Sequence, residues 1–251
     1  MQIIQTDRTA LYDDYKNIIL KRDRIKKEAF EYQQQYLRVF GNLHKLEFKL
    51  QIDCIALKKK IEFCTQCVNH NKEIFMTELN QYIDHIMEEY YEDLKNLEED
   101  VNHSKDVTLI SREDVKEIKK IYYKIAKLIH PDMHPELFEK EEVKDLWNRA
   151  LIAYTCNDLK ELKEIEVLVG VYNNFKVDIK VEDLNEKIAK IEKEIIEIKS
   201  CTPYTYKDIL ENRIKVRELK EKLKDSIESL QDYKEQLESI YYSFKVIDLT
   251  N

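Results

Sequence analysis

Between Leu11 and Val68 the apolar residues Leu11, Tyr15, Ile18, Ile25, Ala29, Tyr32, Tyr36, Phe40, Leu43, Leu46, Leu50, Cys54, Leu57, Ile61, Cys64 and Val68 recur in steps of three, four or seven. That spacing is a heptad seam, the pattern of a helix that buries one narrow stripe against a partner helix. The stretch holds no proline, and Gly41 interrupts propensity without shifting phase. An interior glycine costs about 1 kcal/mol relative to alanine. One continuous helix over about 8–68 is therefore expected, roughly 90 Å long at about 1.5 Å per residue. A turn at Gly41-Asn42 is the alternative.

Composition points the same way. The 251 residues include 2 Gly and 3 Pro, and 37% are charged. Hairpin-rich sheets and phosphate-cradling loops need glycines at positive φ, so both are unexpected. A hydrophobic content of 43% is too high for disorder. The reading is an all-α chain. Its net charge of −8 argues against a general nucleic-acid or anionic-membrane binder. Neither a secretory signal near Met1–Tyr15 nor a run of about 18 apolar residues is evident, which favours a cytoplasmic protein. Five irregularly spaced cysteines suit reduced thiols.

Asn69-His70-Asn71 ends the first helix, because short polar side chains compete for backbone hydrogen bonds. A second seam, Leu79, Ile83, Ile86, Tyr90, Leu94, Leu97 and Val101, gives a helix over about 76–101 folded back antiparallel. Ser111, with Asp114 three positions on, caps a helix over about 112–129 that buries Ile118, Tyr122, Ile125, Ala126 and Ile129. That helix stops near His130, since Pro131 disfavours the α conformation in the residue before it. A helix over about 139–156 turns Val143, Leu146, Trp147, Ala150, Ala153 and Tyr154 inward. A short one follows the Asn157-Asp158 cap and ends at Gly170, read as a left-handed C-terminal glycine. Leu184, Ile188, Ile191, Ile195 and Ile198 mark a helix over about 182–199. Thr205 with Asp208 caps another, over about 206–245, with the seam Val216, Leu219, Leu223, Ile227, Leu230, Tyr233, Leu237, Ile240 and Phe244. The last two form a hairpin whose longer arm leaves an apolar stripe to be covered by the N-terminal stalk or by a second copy in a homodimer.

The segment Glu117-Ile118-Lys119-Lys120-Ile121-Tyr122-Tyr123-Lys124-Ile125-Ala126-Lys127-Leu128-Ile129-His130-Pro131-Asp132 resembles helix two and the loop of a J domain, the signature of the DnaJ family of co-chaperones. The resemblance covers Ser111 to Gly170, and Trp147, Ala153 and Tyr154 match positions of helix three. It implies that His130, Pro131 and Asp132 contact a DnaK-type chaperone and stimulate its ATP hydrolysis. Lys119 and Lys124 would supply the basic face of helix two, joined at the partner-binding surface by Tyr122, Tyr123 and Lys127. Tyr123, Met133 and Leu151 depart from the family's pattern, and no glycine-phenylalanine-rich linker or repeated cysteine zinc module is present. The family's short first helix is not visible before Ser111, so the preceding stalk helix or residues 104–110 are expected to cover the core.

Residues 112–129 carry six basic side chains against three acidic ones, a local +3 in an acidic chain. Such a face selects a negative partner, and the proline limits the loop's conformations before docking. Cys64, Cys67 and His70 have a metal-like spacing but lack a fourth ligand, and His130 and His134 are separated by proline. No metal, cofactor or catalytic set is expected.

The expected organisation is an N-terminal coiled-coil hairpin (1–103), a J-domain-like helical head (104–170) and a C-terminal coiled-coil hairpin (171–251). The expected function is a non-enzymatic adaptor that docks a DnaK-type chaperone through its head and a client or scaffold through its coiled coils. A structural or tethering protein with a degenerate head is the alternative. An accessory enzyme subunit using the tyrosine-rich stalk is a third reading.

Overall fold

A computed structural model describes residues 2–106, 111–172 and 181–247. The fold is all-α. Eight helices are present among the described residues: α1 (Gln2–Asn69), α2 (Met76–Asp106), α3 (Arg112–Ile129), α4 (Glu141–Cys156), α5 (Leu159–Val169), α6 (Val181–Ser200), α7 (Lys207–Leu210) and α8 (Arg213–Tyr241). Two dipeptide strands, β1 (Ile74–Phe75) and β2 (Val246–Ile247), pair in parallel. No described helix is long and apolar enough to cross a membrane.

The chain separates into two compact units with boundaries unlike the three consecutive segments expected. Unit 1 comprises residues 1–33 and 107–207, and unit 2 comprises 34–106 and 208–251. The physical reason is that α1 supplies core to both. The head's hydrophobic core contains Tyr15, Ile19, Leu20 and Ile25 of α1 beside Ile118, Tyr122 and Ile125 of α3. Trp147 and Ala150 of α4, Leu162 and Ile165 of α5, and Leu184 and Ile191 of α6 complete it. The part of this core expected from the helix preceding Ser111 or from residues 104–110 comes instead from Tyr15–Ile25 of α1; α2, the helix preceding Ser111, belongs to unit 2 and includes residues 104–106, and residues 107–110 lie outside the described residues.

Local signals explain several helix ends. The Ser111 side chain accepts from the Asp114 N–H, and Asp158 accepts from the Glu161 N–H. Asn157 at φ 61° is the left-handed C-cap of α4, and Asn71 takes φ 53° just past α1. Gly170, in contrast, is right-handed at φ −56° and opens a 3-10 turn over Gly170–Tyr172. The expected left-handed glycine is absent there, and a Cβ would meet nothing within 4 Å.

In unit 2, α1 is continuous through Gly41. Phe63 meets Tyr82, Lys45 reaches Glu98, and Gly41 faces Val101, so α2 runs antiparallel to α1. The glycine serves this contact: a Cβ on Gly41 would lie 2.7 Å from Val101 Cγ2. The expected helix over 206–245 is instead divided. α7 ends at Leu210, and Asn212 caps α8 by accepting from the Ile214 and Lys215 N–H groups. The expected C-terminal hairpin is also divided, with α6 in unit 1 and α8 in unit 2. The middle of the α8 seam packs on α1, running parallel: Ser226 donates to Glu47, Lys234 pairs with Asp53 at 2.8 Å, and Cys54 donates to the Leu230 carbonyl.

Candidate functional site

The loop after α3 is held by its own first residue. His130 takes extended backbone (φ −61°, ψ 131°), as a residue before proline should, and its N–H still caps the Ala126 carbonyl. The ring is 2% exposed and stands edge-on to Trp147 at 4.5 Å between centroids. Nδ1 accepts the Asp132 backbone N–H at 3.0 Å. That acceptance leaves the ring proton on Nε2, which lies 3.3 Å from Asp23 Oδ2.

Asp23 is the hub of a buried polar cluster. Oδ2 also accepts from the Tyr122 hydroxyl at 2.9 Å, and Oδ1 pairs with Arg22 at 3.2 Å. Burial would raise the Asp23 pKa, but the His130 hydrogen bond, the Arg22 charge and the Tyr122 hydrogen bond outweigh it and hold the carboxyl below its ordinary value. Burial and the adjacent Asp23 charge push the Tyr122 phenol up. Its ring stacks on Tyr154 at 3.8 Å, so hydroxyl and ring are both fixed.

Arg22 links this cluster to the loop's surface. Nη2 meets Asp132 Oδ2 at 2.9 Å and Nη1 meets Glu194 Oε2 at 3.5 Å. Burial opposes the guanidinium charge, yet Asp23 and Asp132 raise its pKa above the ordinary value. The Tyr15 hydroxyl donates to the Asp132 carbonyl at 2.8 Å, and burial followed by the Asp132 charge moves its pKa up to about 12. The Asp132 side chain is nevertheless 38% exposed, and a cavity of about 280 Å³ opens beside it, bordered by Tyr15, Arg22, Pro131, Lys190 and Glu194.

The other expected site residues divide by depth. Tyr122 is wholly buried and is core, whereas Pro131 is half-buried. Tyr123 is half-buried, with Lys119 over its ring at 5.5 Å. Lys124 is exposed but tied to Glu166 of α5 at 2.7 Å. Lys127 is exposed. The exposed basic stripe of α3 is Lys116, Lys120, Lys124 and Lys127, spaced by four, four and three. Lys119 falls off it.

Arg22, Asp23 and Tyr15 escaped the sequence reading as site residues. A signal existed: the α1 seam jumps seven from Ile18 to Ile25, and the skipped position is Arg22. A charged residue at a seam position requires a partner, because an unpaired buried charge is costly.

The metal-like spacings gather no donor set. Among the described residues no group of three or more His, Cys, Asp or Glu side chains converges. His70 Nδ1 lies 2.8 Å from the Gln66 carbonyl, and Cys64 is buried in the seam. His134 Nε2 lies 2.8 Å from the Lys127 carbonyl, which it satisfies as an N–H donor.

Compared with protein-family models, curated proteins and solved structures, the chain matches none.

Proposed function

We propose that the chain is a J-domain-like co-chaperone or adaptor whose head docks a DnaK-type ATPase chaperone through the loop at His130-Pro131-Asp132 and the basic stripe of α3. Unit 2 then holds a client or scaffold. The observation that carries this reading is the pairing of the Asp132 carboxylate with a guanidinium at 2.9 Å, on a loop prearranged by His130. The carboxylate sits at the surface, already shaped to take a planar cationic donor. A chaperone donor would exchange with Arg22 there.

The same contact makes the site closed at rest. A partner competes with Arg22, so its affinity is reduced by the fraction of molecules in which the pair is intact. Docking therefore requires a local release of Asp132 from Arg22 and Tyr15, with His130 remaining in the core.

A second reading is favoured by His130 being 2% exposed: a structural protein whose head only packs helices. Steady-state ATP hydrolysis by a DnaK-type chaperone separates the two. Wild type raises the rate, and Asp132→Asn, which keeps the backbone N–H bond to His130, removes the rise. Equal rates with wild type, with Asp132→Asn and with no added protein support the structural reading.

A further inference from the structure

Helix α8 is divided in charge. Residues 213–224 carry six basic side chains (Arg213, Lys215, Arg217, Lys220, Lys222, Lys224) against Glu218 and Glu221, a local +4. Residues 225–241 carry five acidic side chains against Lys234, a local −4. The positive half lies at the helix N-terminus, where the backbone dipole repels cations, and no acid occupies the first turn. Helix stability gives no reason for this placement. Arg217 has a weak partner in Glu221 at 3.9 Å, while Arg213, Lys220 and Lys224 form no ion pair among the described residues.

These cations rim a groove. Val39 of α1, Leu210 of α7 and Val216 of α8 form its apolar floor, and Arg213, Arg217, Lys220 and Lys224 outnumber the one acid, Glu221, along its walls, which enclose about 490 Å³. An apolar floor with cationic walls fits an acidic amphipathic helix: the floor takes an anchoring side chain and the walls take carboxylates.

The chain itself displays such a helix. On α2, residues 84–100 hold eight acidic side chains against Lys95. Asp84, Glu88 and Glu92 are exposed at steps of four, and Tyr91 beside them is 45% exposed. Spacing on the two faces matches: Arg213 and Arg217, and again Lys220 and Lys224, step by four, as Asp84, Glu88 and Glu92 do. Tyrosine is the kind of rigid, amphipathic anchor that interfaces favour. We infer that a second copy of this chain seats the Asp84-Glu88-Tyr91-Glu92 face of its α2 in the Arg213-Arg217-Lys220-Lys224 groove. The contact uses the start of the α8 seam at Val216, whereas α1 covers its middle at Leu223 and Ile227, and it is independent of chaperone docking.

Sedimentation equilibrium of the full chain at about 50 μM and low salt tests the inference. The expected result is a dimer whose dissociation constant rises about tenfold or more on adding salt to roughly 0.5 M. Arg217→Glu with Lys220→Glu sediments as a monomer, and so does Glu88→Lys with Glu92→Lys. Mixing the two charge-reversed proteins restores the dimer. All four positions lie on exposed or half-buried faces, and an unchanged far-UV spectrum shows each variant folded. A wild-type monomer, or a mixture that stays monomeric, overturns the inference. A monomer that still binds a synthetic acidic helical peptide through Arg217 and Lys220 also overturns it and assigns the groove to a foreign helix.

Discussion

Units 1 and 2 share helix α1 but use it in opposite ways. In unit 1, residues 15–25 insert charged and hydroxyl groups among apolar ones, and Arg22, Asp23, His130 and Tyr122 form a buried network that reaches the surface through Arg22. In unit 2 the same helix presents an apolar seam, Ile52, Ala56 and Cys64 against Leu79, Ile83 and Met87, and its ion pairs stay near the surface. A satisfied buried polar network specifies one arrangement and is costly when partly broken, whereas an apolar seam tolerates substitution in proportion to the volume lost. The half of the helix that must place a loop accurately is the half built on polar contacts.

The contrast breaks most sharply at its hub. Asp23→Ala strips the counterion from Arg22 and the acceptor from His130 and Tyr122, and should cost about 4 kcal/mol. Trp147 is the single tryptophan and lies in unit 1. Its fluorescence midpoint in urea should therefore fall well before the far-UV signal of the long helices. Coincident midpoints would mean that the two units unfold as one.

Leu79→Ala in unit 2 should cost about 3 kcal/mol through the cavity left behind. That loss should be the same at pH 7 and pH 4. The loss from Asp23→Asn should depend on pH. Because the folded-state pKa of Asp23 is lowered, its stabilisation is fully present above the ordinary carboxyl value of 3.8 and disappears as pH falls through the lowered value. Urea titrations of both variants across the acid range check the difference. A pH-independent Asp23→Asn loss would remove the charge from the account.

Smaller effects sharpen the picture. Gly41→Ala gains about 1 kcal/mol of helix propensity but forces a methyl against Val101, where overpacking costs about 1–3 kcal/mol. A net loss of about 1 kcal/mol is expected, reversed to a gain in the Gly41→Ala, Val101→Ala pair relative to Val101→Ala alone. Lys124→Ala removes an exposed pair with Glu166 and should change stability by less than about 0.5 kcal/mol.

Much of the fold was legible in the sequence because helices announce themselves locally. Seam spacing placed α1 and α2, Ser111 and Asp158 marked helix starts, and Pro131 marked the stop at His130. Three features were not legible, each for a physical reason. Thr205 with Asp208 reads as a capping box, but Asn212 offers a carbonyl that satisfies two N–H groups and divides α7 from α8. Which seam packs on which is a property of three-dimensional pairing, so the partner of α8 could not be read from α8 alone. The loop residues His130 and Asp132 were visible, but what holds them was not. Arg22 is more than a hundred positions away, and its only trace was the missing apolar residue between Ile18 and Ile25.

The central claim is that Asp132 is a docking carboxylate held closed by Arg22. It is tested most directly by the ATP hydrolysis rate of a DnaK-type chaperone with Arg22→Gln beside wild type, Trp147 fluorescence reporting that the head remains folded. The account predicts stimulation by the variant at a several-fold lower concentration than by wild type, abolished when Asp132→Asn is added. A folded Arg22→Gln head that stimulates no better than wild type would contradict it.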